Sequence, residues 1–98
     1  MSRYDVYRGD ETVDYFLDCQ ADALRHFESR FVVPLLLAEP TQQADRLHPI
    51  FEVEGTRVVM VTQLASAVPA RSLRGKVTNL DEHHTAIIDA LDVLVGGV

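Results

Sequence analysis

The sequence has one cysteine, Cys19, and no tryptophan. A lone cysteine closes no disulfide within a chain, so the fold has to stand on packing, and the cysteine usage fits a cytoplasmic location. Met1-Ser2-Arg3-Tyr4 leads into charged residues where a secretory signal would place an apolar core. No apolar run approaches the roughly 20 residues that cross a bilayer. The longest are short segments such as Phe31 to Ala38, and no membrane partner is expected. Cations are scarce, 9 Lys and Arg against 15 Asp and Glu, and the net charge of −6 disfavours direct binding of nucleic acid. Internal repeats, low-complexity tracts and a Pro/Gly/Ser linker are missing, which leaves one domain over residues 1–98 as the expectation. There is no phosphate-cradling loop, no dinucleotide-binding glycine pattern and no serine elbow, so the sequence carries no enzyme signature and calls for no cofactor.

What is present is an ordinary globular composition, 47% hydrophobic and 24% charged. A chain of this size buries about 60–70% of its unfolded surface, enough for one modest core. Tyr4 to Tyr7 alternates in polarity, Arg8-Gly9-Asp10-Glu11 offers a turn, and Val13 to Cys19 puts Val13, Tyr15, Leu17 and Cys19 on one face. Asp14 and Asp18 fall on the other, which predicts a hairpin with one solvated face. Phe31 to Leu37 reads as a third strand whose Pro34, lacking a ladder donor, favours an edge or a bulge. The polar stretch from Ala38 to His48 reads as a connection with one short helical turn. Ile50 to Val53 and Arg57 to Thr62 flank Glu54-Gly55-Thr56 and predict a second hairpin. Residues 63–76 read as irregular.

The period then changes. Leu80, His84, Ile87, Leu91 and Leu94 recur at spacings of three and four, the stripe of an amphipathic helix. Asn79 or Asp81 caps its first amides and Gly96-Gly97 ends it. Short antiparallel strands followed by one terminal helix predict a mainly β fold, a small barrel or sandwich with the helix packed against it.

Few residues offer chemistry. His26, His48, His83 and His84 have no zinc-ligand spacing, and one cysteine completes no such set, so no metal site is expected. Cys19 sits on the apolar side of its strand and reads as packing rather than as a nucleophile. Asp14, Asp18 and Asp22 read as a solvated face rather than as paired catalytic acids. Two features stand out more. Between Gly55 and Leu80 lie Arg57, Arg71, Arg74 and Lys76 and no acid, a candidate basic patch for an acidic partner. The sequence also ends on Leu94-Val95-Gly96-Gly97-Val98, an apolar end that suits docking to another protein.

Five blocks in register carry a resemblance over nearly the whole chain: Phe16 to Asp22, Phe31 to Leu35, Leu47 to Phe51, Thr62 to Ser66 and the helix ending in Gly97-Val98. Together they resemble the CcdB toxins of type II toxin–antitoxin modules. The resemblance implies an SH3-like β-barrel with a long C-terminal helix, assembled as a homodimer. It implies a non-enzymatic plasmid-maintenance toxin that binds the A subunit of DNA gyrase, traps it on cleaved DNA, and is neutralised by a CcdA-like antitoxin. Target binding would fall on Leu24, Asp92, Val95, Gly96, Gly97 and Val98, and antitoxin binding on Arg57, Arg71, Arg74 and Lys76. The family toxins end in Trp-Gly-Ile, and here Gly96 stands where their tryptophan does. Loss of an aromatic anchor commonly removes about 2 kcal/mol or more, roughly 30-fold in affinity. Two other readings remain at this point. One is a CcdB-fold protein that binds antitoxin but no longer poisons gyrase. The other is an endoribonuclease on a related barrel, against which stand the net charge and the lack of an acid–base pair near the basic stretch.

Overall fold

The computed structural model describes residues 1–97. It contains β1 (Asp5–Arg8), β2 (Tyr15–Asp18), β3 (Ser29–Leu37), β4 (Ile50–Val53), β5 (Thr56–Met60), β6 (Ser66–Pro69), β7 (Lys76–Asn79) and α1 (His84–Gly96). The strands form one antiparallel sheet in the order β4-β5-β3-β2-β1-β7, with β6 paired to β3. The fold is therefore mainly antiparallel β with one C-terminal helix. The sheet curls strongly. Arg8 at the end of β1 makes a two-pronged ion pair with Glu54 in the β4–β5 turn, at 3.0 and 3.1 Å, although three strands separate β1 from β4 in the ladder. The Tyr15 hydroxyl donates to the same carboxylate at 2.8 Å.

Both predicted hairpins form. β1 and β2 pair with Val6 opposite Leu17 and Tyr7 opposite Phe16. β4 and β5 pair around Glu54 and Gly55, both at positive φ, the backbone that a two-residue hairpin turn requires. The connection from Ala38 to His48 holds no helix; Arg57 instead ties it down by donating to the carbonyls of Pro40 and Gln42 at 3.2 and 2.8 Å.

Three expectations about the sheet are corrected. Pro34 lies in β3, which is central, with β2 on one side and both β6 and β5 on the other. β6 covers residues 29–32 and β5 covers residues 35–37, so Pro34 falls where the neighbour changes. Its carbonyl accepts the Val61 N–H on that side at 3.0 Å, and its missing donor faces the gap between strands, where no ladder bond is lost. The stretch 63–76, expected to be irregular, contains β6 and the short turn at Ala70–Ser72. Asp18, expected in solvent, is fully buried. The strand parity was right, since Leu17 and Cys19 enter the main core, but the opposite face is also covered: Tyr7, Val32 and Leu73 form a second cluster with Phe16 and Val68.

The main core lies between the inner face of the sheet and α1, with Leu17, Val33, Leu35, Met60 and Ile87 wholly buried. The helix stripe is shorter than its spacing predicts. Ile87 and Ala90 are buried and Leu91 packs on the core, but His84 is exposed and Leu94 is 39% exposed. The expected side-chain cap is not formed: α1 begins after His83 with no side-chain bond to its first amides, and Asn79 instead accepts the Asp81 N–H at 2.7 Å at the entry to a 3-10 turn, Asp81–His83, that leads into the helix.

Candidate functional site

The exposed last turn of α1 is the first candidate surface. Val95 is 85% exposed, far more than packing would leave it. Asp92, one turn earlier on the helix, is exposed, and with Val95, Gly96, Asp89 and Arg46 it lines a shallow groove of about 420 Å³. Arg46 reaches across from the polar connection and grips Asp89 at 2.7 and 3.0 Å, holding the Asp89 carboxyl below its usual range. Arg46 was not legible as a site residue, since a cation in a polar loop carries no periodicity. Gly97 ends the helix at φ +69°, with its N–H donated to the Val93 carbonyl at 2.9 Å. Val98, the last predicted site residue, lies outside the described residues.

Leu24 stands elsewhere. It closes a short 3-10 turn, Asp22–Leu24, and is 42% exposed, with Phe27 beside it at 49%. Asp22 accepts the Arg3 N–H at 2.8 Å and lines a polar cavity of about 560 Å³ with Tyr4, Asn79 and His84 at the start of α1. Asp22, two residues before Leu24, is thus near the first turn of the helix, whereas Val95 is on its last, eleven residues or about 16 Å further along. One chain does not bring Leu24 and Val95 into one cavity. Tyr4 is buried at φ +72°, a costly backbone for an aromatic residue, and its hydroxyl is hydrogen-bonded to His84 Nδ1 at 2.6 Å.

The four predicted cations do not share one setting. Arg57 on β5 is occupied with loop carbonyls, and Lys76 on β7 pairs with the buried Asp5 at 3.2 Å. Three strands separate β5 from β7 in the ladder. Arg71 and Arg74 are exposed and have no ion-pair partner among the described residues. Arg71 borders a groove of about 560 Å³ floored by Phe27, Val68 and Pro69.

A buried polar centre joins β2 to the start of β3. Arg30 and Asp18 are 1% and 0% exposed, with Arg30 Nε donating to Asp18 Oδ2 at 2.8 Å and Nη2 at 2.6 Å from the same oxygen. Burial raises the Asp18 carboxyl above its ordinary value, against the pull of Arg30. Tyr7, facing Asp5 at 3.4 Å, is pushed up to about 12, chiefly by burial and then by the Asp5 and Asp18 charges. Among the described residues no three His, Cys, Asp or Glu side chains gather as a metal ion requires.

Cys19 is packing material, 8% exposed, and burial pushes its thiol from 9.0 up to about 12. That leaves about a thousandfold less thiolate near pH 8 than in an ordinary cysteine, so Cys19 in the native protein is expected to react with a disulfide reagent at least about a thousandfold more slowly than free cysteine. One equivalent should appear on adding denaturant. A native rate within tenfold of free cysteine would show that the strand opens.

Among the described residues no helix is long and apolar enough to cross a membrane. A comparison with curated proteins finds no match to the chain. The family model described as CcdB protein, in contrast, matches residues 3–97, from just before β1 through the glycine that ends α1. The strands, the buried Asp18–Arg30 centre and the projecting helix end all fall within that match, and the chain belongs to the CcdB family of toxin–antitoxin toxins.

Proposed function

We propose that this toxin acts on DNA gyrase, binding its A subunit as a homodimer and holding the enzyme on cleaved DNA until an acidic, CcdA-like antitoxin segment removes it. The observation that supports this reading is the last turn of α1, which projects Val95 into solvent beside the exposed Asp92 instead of burying it on the sheet. An apolar side chain next to a carboxylate suits a protein surface that offers an apolar pocket and a cation. On this reading Leu24 adds a second apolar contact, Arg71 and Arg74 receive the antitoxin, and Val98 completes the helix-end contact. Binding of this kind needs no catalytic group.

The test is a supercoiled-plasmid assay with pure protein, gyrase from the same host and ATP, scored for linear DNA after detergent and protease. Linear product is expected, and its loss in Gly97→Arg. A Cβ at Gly97 meets nothing within 4 Å, so the arginine projects into solvent. Its cost is confined to the left-handed backbone, about 1–2 kcal/mol. No linear product from folded protein and active gyrase would leave a CcdB-fold protein that binds antitoxin without poisoning.

A further inference from the structure

We propose that Gln20 is a positioning residue for target binding: its amide locks the 21–28 loop so that Leu24 is presented in one fixed place. This rests on the reading of Leu24 as a target contact. Residues 21–29 are all exposed, so the loop gains no order from a core of its own. Three bonds tether it from outside: Arg3 N–H to Asp22 Oδ1 at 2.8 Å, Ala70 N–H to the Glu28 carbonyl at 2.7 Å, and Gln20 Nε2 to the Leu24 carbonyl at 2.9 Å. Only the last meets Leu24 itself. The Phe27 N–H donates to the same carbonyl at 3.1 Å, so one buried amide fixes the backbone beneath both exposed apolar side chains.

Gln20 is itself fixed from two directions. It is 9% exposed, and its Oε1 accepts the Phe31 N–H from β3 at 3.0 Å. Its backbone N–H donates to Asp18 Oδ1 at 3.0 Å, while Asp18 Oδ2 is held by Arg30. A continuous line of bonds therefore runs from the buried ion pair through Gln20 to the Leu24 carbonyl. Ordering a loop before contact removes from the binding step a cost otherwise met there. Buried glutamine suits this task, because one amide end donates to the loop and the other accepts from the strand.

The test is Gln20→Glu, which keeps an acceptor for the Phe31 N–H and places an oxygen where the donor to Leu24 was. Amide exchange at Leu24, Arg25 and Phe27 is expected to accelerate at least tenfold relative to the unmodified protein at pH 7, with Val33 and Leu35 unchanged. At lower pH the new carboxyl protonates and donates again, so the difference should shrink. Linear DNA in the gyrase assay should fall at least tenfold at pH 7, with antitoxin binding unaltered. Gln20→Asn, too short to span to Leu24, provides the same comparison should the first variant fold poorly. Unchanged loop exchange overturns the proposal, as does acceleration spread equally over β3. Leu24→Ser separates the two readings: if it leaves cleavage intact, the target role of Leu24 falls, whatever the exchange shows. If Leu24→Ser abolishes cleavage while Gln20→Glu loosens the loop and leaves cleavage intact, the positioning role falls.

Discussion

Replacing Arg30 with methionine lowers the free energy of unfolding by about 3–5 kcal/mol, because it leaves the Asp18 carboxylate buried without its counter-charge. Asp18 is 0% exposed and keeps only the Gln20 N–H as a donor once the guanidinium is gone. Ten kcal/mol is a typical total for a small domain, so the loss is about a third to a half of it. The double replacement Asp18→Leu, Arg30→Met recovers most of that loss, because it removes both buried charges together. It also removes a defect of the native arrangement. Arg30 Nη1 and Nη2 have no hydrogen-bond partner, and the short Nη2–Oδ2 approach is an ion pair without a directed second bond. Urea unfolding of the three proteins, compared by midpoint at equal slope, is the measurement. A single-variant loss below about 1 kcal/mol, the worth of an exposed pair, would mean that Asp18 finds water or another donor when Arg30 leaves.

That buried pair also marks where the sequence stopped being legible. The alternation of Tyr15, Leu17 and Cys19 against Asp14 and Asp18 located β2 and its two faces correctly, because side-chain period is a local property. What covers the second face is not local: it takes Val68 and Leu73, fifty residues downstream, to turn the Asp18 side into interior. An aspartate at a strand position reads as solvated unless a distant partner is known, and Arg30 announces nothing at a strand start. Pro34 failed for a related reason. The rule that proline avoids central ladders holds, but β3 is central by virtue of two partners lying end to end, and the proline occupies the break between them. The Glu54-Gly55 turn and the inward placing of Leu80, Ile87 and Leu91 were read correctly, since each is fixed within a few residues, whereas His84 on the same predicted stripe is exposed. In the candidate site, the exposure of Val95 was legible from its position off the stripe. The separate settings of Arg57 and Lys76, and the Arg46–Asp89 clamp, depend on pairings that no spacing encodes.

The helix end and the cationic segment are expected to fail independently when each is given negative charge. Val95→Glu should reduce linear DNA in the gyrase assay at least 30-fold, equivalent to about 2 kcal/mol, the scale of a buried anchor lost from an interface. The glutamate would stand on the same turn as Asp92 and add like charge to a groove that already holds Asp89. Stability should move by no more than about 0.5 kcal/mol, because Val95 is 85% exposed and supports nothing beneath it. Antitoxin affinity should stay within about threefold. Arg71→Glu with Arg74→Glu should do the reverse, leaving cleavage intact and weakening antitoxin binding at least tenfold, since two attractions become repulsions toward an acidic segment. Growth arrest in cells carrying the antitoxin would then follow from the double cation variant alone. Equilibrium titration with the cognate antitoxin segment, run beside the cleavage assay on the same preparations, reads both effects. Full cleavage by Val95→Glu would remove the helix end from the target surface, and wild-type antitoxin affinity in the double variant would place the acidic segment on another part of the sheet.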